Sequence, residues 1–314
     1  MRIKNLFFLA ALAVSASATL TSCEDILGHW ERPTGAAVTP SDSETPSEPE
    51  EEAVPGLLAG KFSVADGIQV QFSQGNLQAV IASGPTDTYN YTASSWKFAE
   101  HQWDYIGNDA GNTSFAAGST VDLFGWVGTS ASYDTYGLCT QTSANNAYYG
   151  TSTSDALKND WGTKMGTGWR TLTKDEWTYL FNGRTSVTTR YCKATVNSKS
   201  GVVLFPDSYT HPAGVTAPAS TNTANADYTT NNSWTSDDWT KMEAAGCVFL
   251  PAAGRRNGTS VDNADSGGDY WSSSPDGSSA DNAYSMYFNS GSLGPAGYDI
   301  RYRGFSVRLV RPAE

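Results

Sequence analysis

Three long polar runs, at 107–119, 129–155 and 207–235, dominate the second and third quarters of this 314-residue chain. They are rich in Ser, Thr, Asn, Gly and Asp and are interrupted by Tyr and Trp. Loops of that length inside a compact domain either carry function or are pinned by their aromatic side chains. Between them only short elements fit. Charged residues make up 17%, and the chain holds 10 Trp, 16 Tyr, 12 Phe and 30 Gly. That profile excludes a coiled coil, a helical bundle and a fully disordered chain. The expectation is an α+β domain over 57–314, with few short helices, short antiparallel strands and an aromatic core.

Local signals agree. Lys61–Val64 and Ile68–Phe72 alternate around Asp66-Gly67, a strong hairpin signature. Trp96–Phe98, Val121–Trp126 and Val248–Pro251 read as further strands. Thr173 followed by Glu176 is a capping box that opens a helix, and Asn182-Gly183 stops it. Ser236–Glu243 reads as a second helix ending near Gly246. No repeat and no transmembrane run is visible over 57–314.

At the amino end, Arg2 and Lys4 precede an apolar run from Leu6 to Leu20, too short to span a bilayer. Residues 1–22 therefore read as a signal peptide. The run ends in Leu20-Thr21-Ser22-Cys23, which resembles a bacterial lipobox. The resemblance implies cleavage before Cys23, lipid on its sulfur and tethering to a membrane, here the outer membrane with exposure at the cell surface. Residues 23–56 then form an acidic tether. From 24 to 56 there are five prolines and nine acids against Arg32 alone, a composition that cannot bury a core. The formal charge of −12 therefore belongs in good part to the spacer. An acidic chain repels phosphate backbones, so nucleic acid is not an expected partner.

Six strings occur in order: Phe72–Leu77, Trp96–Gly107, Gly168–Trp177, Phe249–Arg256, Tyr270–Ser274 and Gly304–Arg311. Together they resemble surface lipoproteins of gut Bacteroidetes with a C-type-lectin-like domain, of the formylglycine-generating-enzyme type of fold. The resemblance implies that Gly168–Trp177 is the turn into a core helix. It also implies that Tyr270-Trp271 and the terminal Arg308–Arg311 are closing strands.

Residues 276–303 resemble, more narrowly, the variable region of proteins diversified by retroelements. Adenine-directed errors in Asn codons can never yield Trp, Met, Lys, Gln or Glu. Only Met286 of that set falls in the window, where the overall composition would place several. An ordinary solvent-facing strand with polar outward positions is the rival explanation. On the variable-region reading, Ala283, Tyr284, Met286 and Phe288 face inward by strand alternation. The candidate ligand-binding residues are Asp276, Gly277, Ser278, Ser279, Ala280, Asp281, Ser285, Tyr287, Ser292, Gly294, Ala296, Gly297, Tyr298, Asp299, Ile300, Tyr302 and Arg303. Such Tyr, Ser and Gly mixtures supply broad rings and adaptable hydrogen bonds. Arg303 is read either as a contact for an acidic group or as one half of an ion pair with a neighbouring Asp.

Chemistry is sparse. Formylglycine-generating enzymes, as the family implies, need cysteines placed to hold copper; Cys139, Cys192 and Cys247 offer no close pair. Either Cys192 and Cys247 are small buried residues, the favoured reading, or they form a disulfide. His101 and His211 are too few for a metal cluster, and the calcium-ligating triplets of sugar-binding C-type lectins are missing. No catalytic residue, metal or cofactor is expected. The reading is a tethered, adhesin- or receptor-like module for a protein or glycan. The alternatives are an enzyme of the formylglycine-generating or hydrolase kind, and a structural envelope or fimbrial component.

Overall fold

The computed structural model describes residues 54–314 apart from 145 and 231. The signal segment, Cys23 and the tether up to residue 53 lie outside the described residues.

Strands dominate and helices are few and short. In chain order the elements are β1 (Leu57–Ala65), β2 (Ile68–Ser73), β3 (Leu77–Ile81), β4 (Ala93–Phe98), α1 (Ala110–Ser114), β5 (Thr120–Val121), β6 (Arg170–Thr171) and α2 (Lys174–Thr178). They continue with β7 (Tyr191–Val196), β8 (Lys199–Leu204), β9 (Ser233–Trp234), α3 (Ser236–Ala244), β10 (Val248–Pro251), β11 (Arg255–Asn257) and β12 (Ser260–Asp262). The chain closes with β13 (Gly267–Pro275), β14 (Asn282–Asn289), β15 (Leu293–Ile300) and β16 (Leu309–Pro312).

The β1–β2 hairpin turns at Asp66-Gly67, with Ala65 opposite Ile68 and Gly67 at a positive φ of 72°. That is the conformation a two-residue turn demands and glycine supplies without strain. The last strand returns to this hairpin, giving the sheet order β1-β2-β16-β6. The other sheets run β4-β3-β5, β10-β8-β7-β9, β11-β12 and β13-β14-β15. The expected capping box forms, and a second, not expected, opens α3. Thr173 and Glu176 close the start of α2, and Thr235 and Asp238 close that of α3. Beyond Thr178, α2 widens into a π turn, Tyr179–Gly183.

One departure concerns Val121–Trp126. Only Thr120–Val121 is strand there, and Phe124 makes an isolated bridge to Phe305. The segment is nevertheless buried at every position, and Val121, Phe124 and Trp126 enter a core alongside Trp161, Trp169, Trp271 and Phe305. Burial without a ladder partner produced the strand-like apolar pattern. A second core lies between β1, β2 and α2 and the back of β13–β15, built from Phe62, Phe72, Trp177, Tyr270, Met286 and Phe288. Cys192 and Cys247 share a third with Trp239 and Phe249 of the α3 region. All three described cysteines are buried and free, and burial pushes their thiols up. Among the described residues no helix is long and apolar enough to cross a membrane.

Candidate functional site

The window 276–303 covers the turn after β13, the strands β14 and β15, and the three residues beyond them; with β13 the two strands form the meander β13-β14-β15. Its register decides which side chains can act together. Tyr270 pairs with Met286 and Gly268 with Phe288, and these rings enter the core. The alternate positions form the other face: Asp269 opposite Tyr287 and Trp271 opposite Ser285. Across β14–β15, Ser285 pairs with Gly297, Tyr287 with Gly294 and Ala283 with Asp299. Between the first two pairs β15 carries one extra residue, a bulge that leaves Ala296 exposed.

The candidate residues therefore divide. Tyr287, Gly294, Gly297 and Asp299 share one face. Tyr298 pairs with Tyr284 on the other, their rings 6.4 Å apart, with the Lys174 ammonium 4.8 Å from the Tyr284 ring. The single recognition face expected from alternation is two faces of one hairpin. Tyr284 is only half-buried, and Ala283 is buried on the face opposite Met286 and Phe288.

Two expected contact residues are corrected. Ser285 is 3% exposed, because at this end the sheet is packed on both sides and Trp271 lies next to it. Asp276 is 4% exposed and works within its own turn. Its Oδ1 accepts from the backbone N (3.0 Å) and the hydroxyl (2.6 Å) of Ser278. Burial alone would raise its carboxyl; the Ser278 hydrogen bonds outweigh this and hold it below the usual range. Gly277 and Ser278 are exposed at the tip of that turn, while Ser279, Ala280 and Asp281 are half-buried.

Ser292 donates to Asn289 Oδ1, which also accepts from the Gly291 and Ser292 backbones and so shapes the β14–β15 turn. The Lys193 ammonium, fully buried, grips the same turn from below through the carbonyls of Asn289 and Ser290. Ile300 is half-buried, and Tyr302 packs beside Val127 and Tyr149. Arg303 is one half of an ion pair: Nη1 meets both Asp299 oxygens at 2.6 Å. Arg255 approaches the same carboxylate at 3.8 Å.

Tyr287 has a special seat. A Cβ on Gly294 would lie 2.4 Å from the Tyr287 ring, and one on Gly297 2.5 Å. The two glycines clear a floor on which the ring rests, 38% exposed. Sequence reasoning missed Asp269 and Arg255 beside it. The signal for Asp269 was present, since it alternates with Trp271 in the same strand and sits where a core-facing pattern would exclude a carboxylate.

Burial pushes the Asp269 carboxyl up to about 7; Arg255 opposes this, Asp299 adds to it and Arg303 opposes it. An unfolded Asp ionises near pH 4. Between roughly pH 4 and 7 the folded state thus holds the extra proton, so this group's contribution to stability falls as pH rises through that window and is level above it. Denaturation midpoints measured across it should flatten in Asp269→Asn. A residual slope of the same sign should remain, because burial also lifts Asp122, to about 6. A slope unchanged by the substitution would contradict this assignment.

Among the described residues no three His, Cys, Asp or Glu side chains come together to hold a metal. His101 stacks on Trp103 at 4.7 Å, with Nδ1 3.0 Å from Asp104. No family model matches the chain, and no curated protein or solved structure does.

Proposed function

We propose that the protein is a surface-tethered recognition module whose β14–β15 hairpin contacts its ligand without making or breaking a bond. One observation carries this reading. Among the described residues three large hydrophobic side chains are exposed, Ile68 (52%), Tyr287 (38%) and Tyr298 (64%), and two of the three stand on this hairpin. Exposed tyrosines on a rigid sheet supply contact area at low entropic cost. Lipid on Cys23, the acidic spacer and placement at the outer membrane belong to the same proposal. So does a C-type-lectin-like fold of the formylglycine-generating-enzyme type. Support for that fold comes from the return of β16 to the first hairpin and from the burial of Trp169, Trp177, Tyr270 and Trp271. The ligand is a protein or glycan rather than nucleic acid.

An array of host-type glycans and extracellular-matrix proteins, probed with the full-length chain, tests the reading. At least one member should bind, and Tyr287→Ser or Tyr298→Ser should abolish that binding with the melting temperature nearly unchanged, since surface substitutions usually stay within about 0.5 kcal/mol. Binding indifferent to both substitutions, or no binding to any member, would count against it.

A further inference from the structure

A row of side chains crosses the strands beside the Tyr287 seat. Gly254 and Gly268 bridge in parallel, which sets the next residues, Arg255 and Asp269, side by side. Asp269 then lies opposite Tyr287, and Tyr287 opposite Gly294. The row reads cation, carboxyl, aromatic ring, bare backbone.

Its polar members are unsatisfied. The Arg255 guanidinium, 32% exposed, makes no hydrogen bond to any described residue, and its one carboxylate neighbour, Asp299 at 3.8 Å, is already held by Arg303 at 2.6 Å. The half-buried Asp269 carboxyl accepts no hydrogen bond from a described residue. Neither group is sealed from solvent, so water meets both in the free protein, and a ligand can replace that water with a donor and an acceptor of its own. Charge selects what does. Above about pH 7, where Asp269 is ionised, two arginines and two aspartates balance, so a free anion meets Asp269 and Asp299 and a free cation meets Arg255 and Arg303. A neutral ligand with a donor and an acceptor on adjacent atoms satisfies both open groups. Vicinal hydroxyls have that form, and a pyranose carries them on a flat C–H face suited to an exposed ring. The two glycines let that ring lie directly on the backbone of β15.

We propose that Arg255, Asp269 and Tyr287 form a saccharide subsite. The Tyr287 ring stacks on the sugar, Arg255 donates to one hydroxyl oxygen and Asp269 accepts from its neighbour. The proposal rests on the recognition reading above and narrows its ligand to glycans.

The test is NMR titration of the full-length chain with methyl α-glucopyranoside, methyl α-galactopyranoside and methyl α-mannopyranoside. At least one should shift the Tyr287 ring and Asp269 carboxyl signals saturably. Arg255→Gln and Asp269→Asn should each weaken that binding by about tenfold or more, as expected for loss of a hydrogen bond to a charged group. Tyr287→Phe should retain it and Tyr287→Ser should lose it. Gly294→Ala, which pushes the ring off its floor, should weaken binding with the fold intact by its amide spectrum. The subsite is overturned if none of the three sugars gives a saturable shift, if the shifts survive Arg255→Gln and Asp269→Asn, or if a Gly-Asn-Gly tripeptide shifts these signals and the sugars do not. Array binding that needs Tyr287 but involves only proteins would leave the recognition reading standing and remove the saccharide.

Discussion

Arg301→Ala should destabilise the folded chain by about 3–5 kcal/mol, the cost of stranding one partner of a buried ion pair. Arg301 and Asp155 are 0% and 2% exposed, with Nη1 2.7 Å from Oδ2. The arginine also donates to the carbonyls of Asn282 and Ser152 and lies 4.8 Å from the Trp126 ring. Asp155 in turn accepts from the Ser130 backbone and hydroxyl and from Thr129. One guanidinium thus ties the end of β15, the start of β14 and the polar loop 129–155 together. Arg301→Met with Asp155→Asn removes both charges and should cost less than Arg301→Ala, since what is expensive is the unpaired charge. Urea midpoints of the two variants decide this. A loss below about 1 kcal/mol for Arg301→Ala would show that the pair is not what holds the loop. Arg301 sits between Ile300 and Tyr302, so the window 276–303 contains a residue that the fold cannot release.

Legibility differed from residue to residue for physical reasons. Local signals read well because their causes are local. Asp66-Gly67 supplies a positive φ, and Thr173 satisfies a backbone donor three residues on. The β7–β8 hairpin was not read, although Asn197 and Ser198 turn it with both φ values positive. Its strands are buried at every position but Lys199, so they show no alternation. The candidate face was half legible. Tyr287 and Tyr298 stand out as aromatic residues in a polar stretch, but their placement on opposite faces follows from the one-residue bulge in β15, which shifts the hairpin register between them. Asp276 and Ser285 look like contact residues by type. What buries them is the turn hydrogen bonding of Ser278 in one case and the bulk of Trp271 in the other. Arg256, Arg301 and Arg308 are all fully buried, and no arginine announces that from sequence, because the rule that charges stay outside holds until a site supplies enough acceptors.

Trp271→Ala should cost about 3–5 kcal/mol, in the range for truncating a buried aromatic side chain. The indole is fully buried, stacks on Phe305 with centroids 4.2 Å apart, and donates from Nε1 to the Phe124 carbonyl at 2.6 Å. Truncation empties that volume and leaves the carbonyl without its donor, so two penalties act at once. Trp271→Phe keeps most of the stacking and loses the hydrogen bond, and should recover the larger part of the stability. The substitution also separates support from contact. Trp271 lies on the same side of β13 as Asp269, two residues along, and opposite Ser285, so it underlies the face that carries Tyr287 without reaching its exposed ring. Ligand binding by Trp271→Ala should therefore fail only in step with unfolding, and recover when temperature or an osmolyte restores the fold. Full stability with binding abolished would make Trp271 a contact residue and move the recognition surface from the hairpin to the strand beneath it.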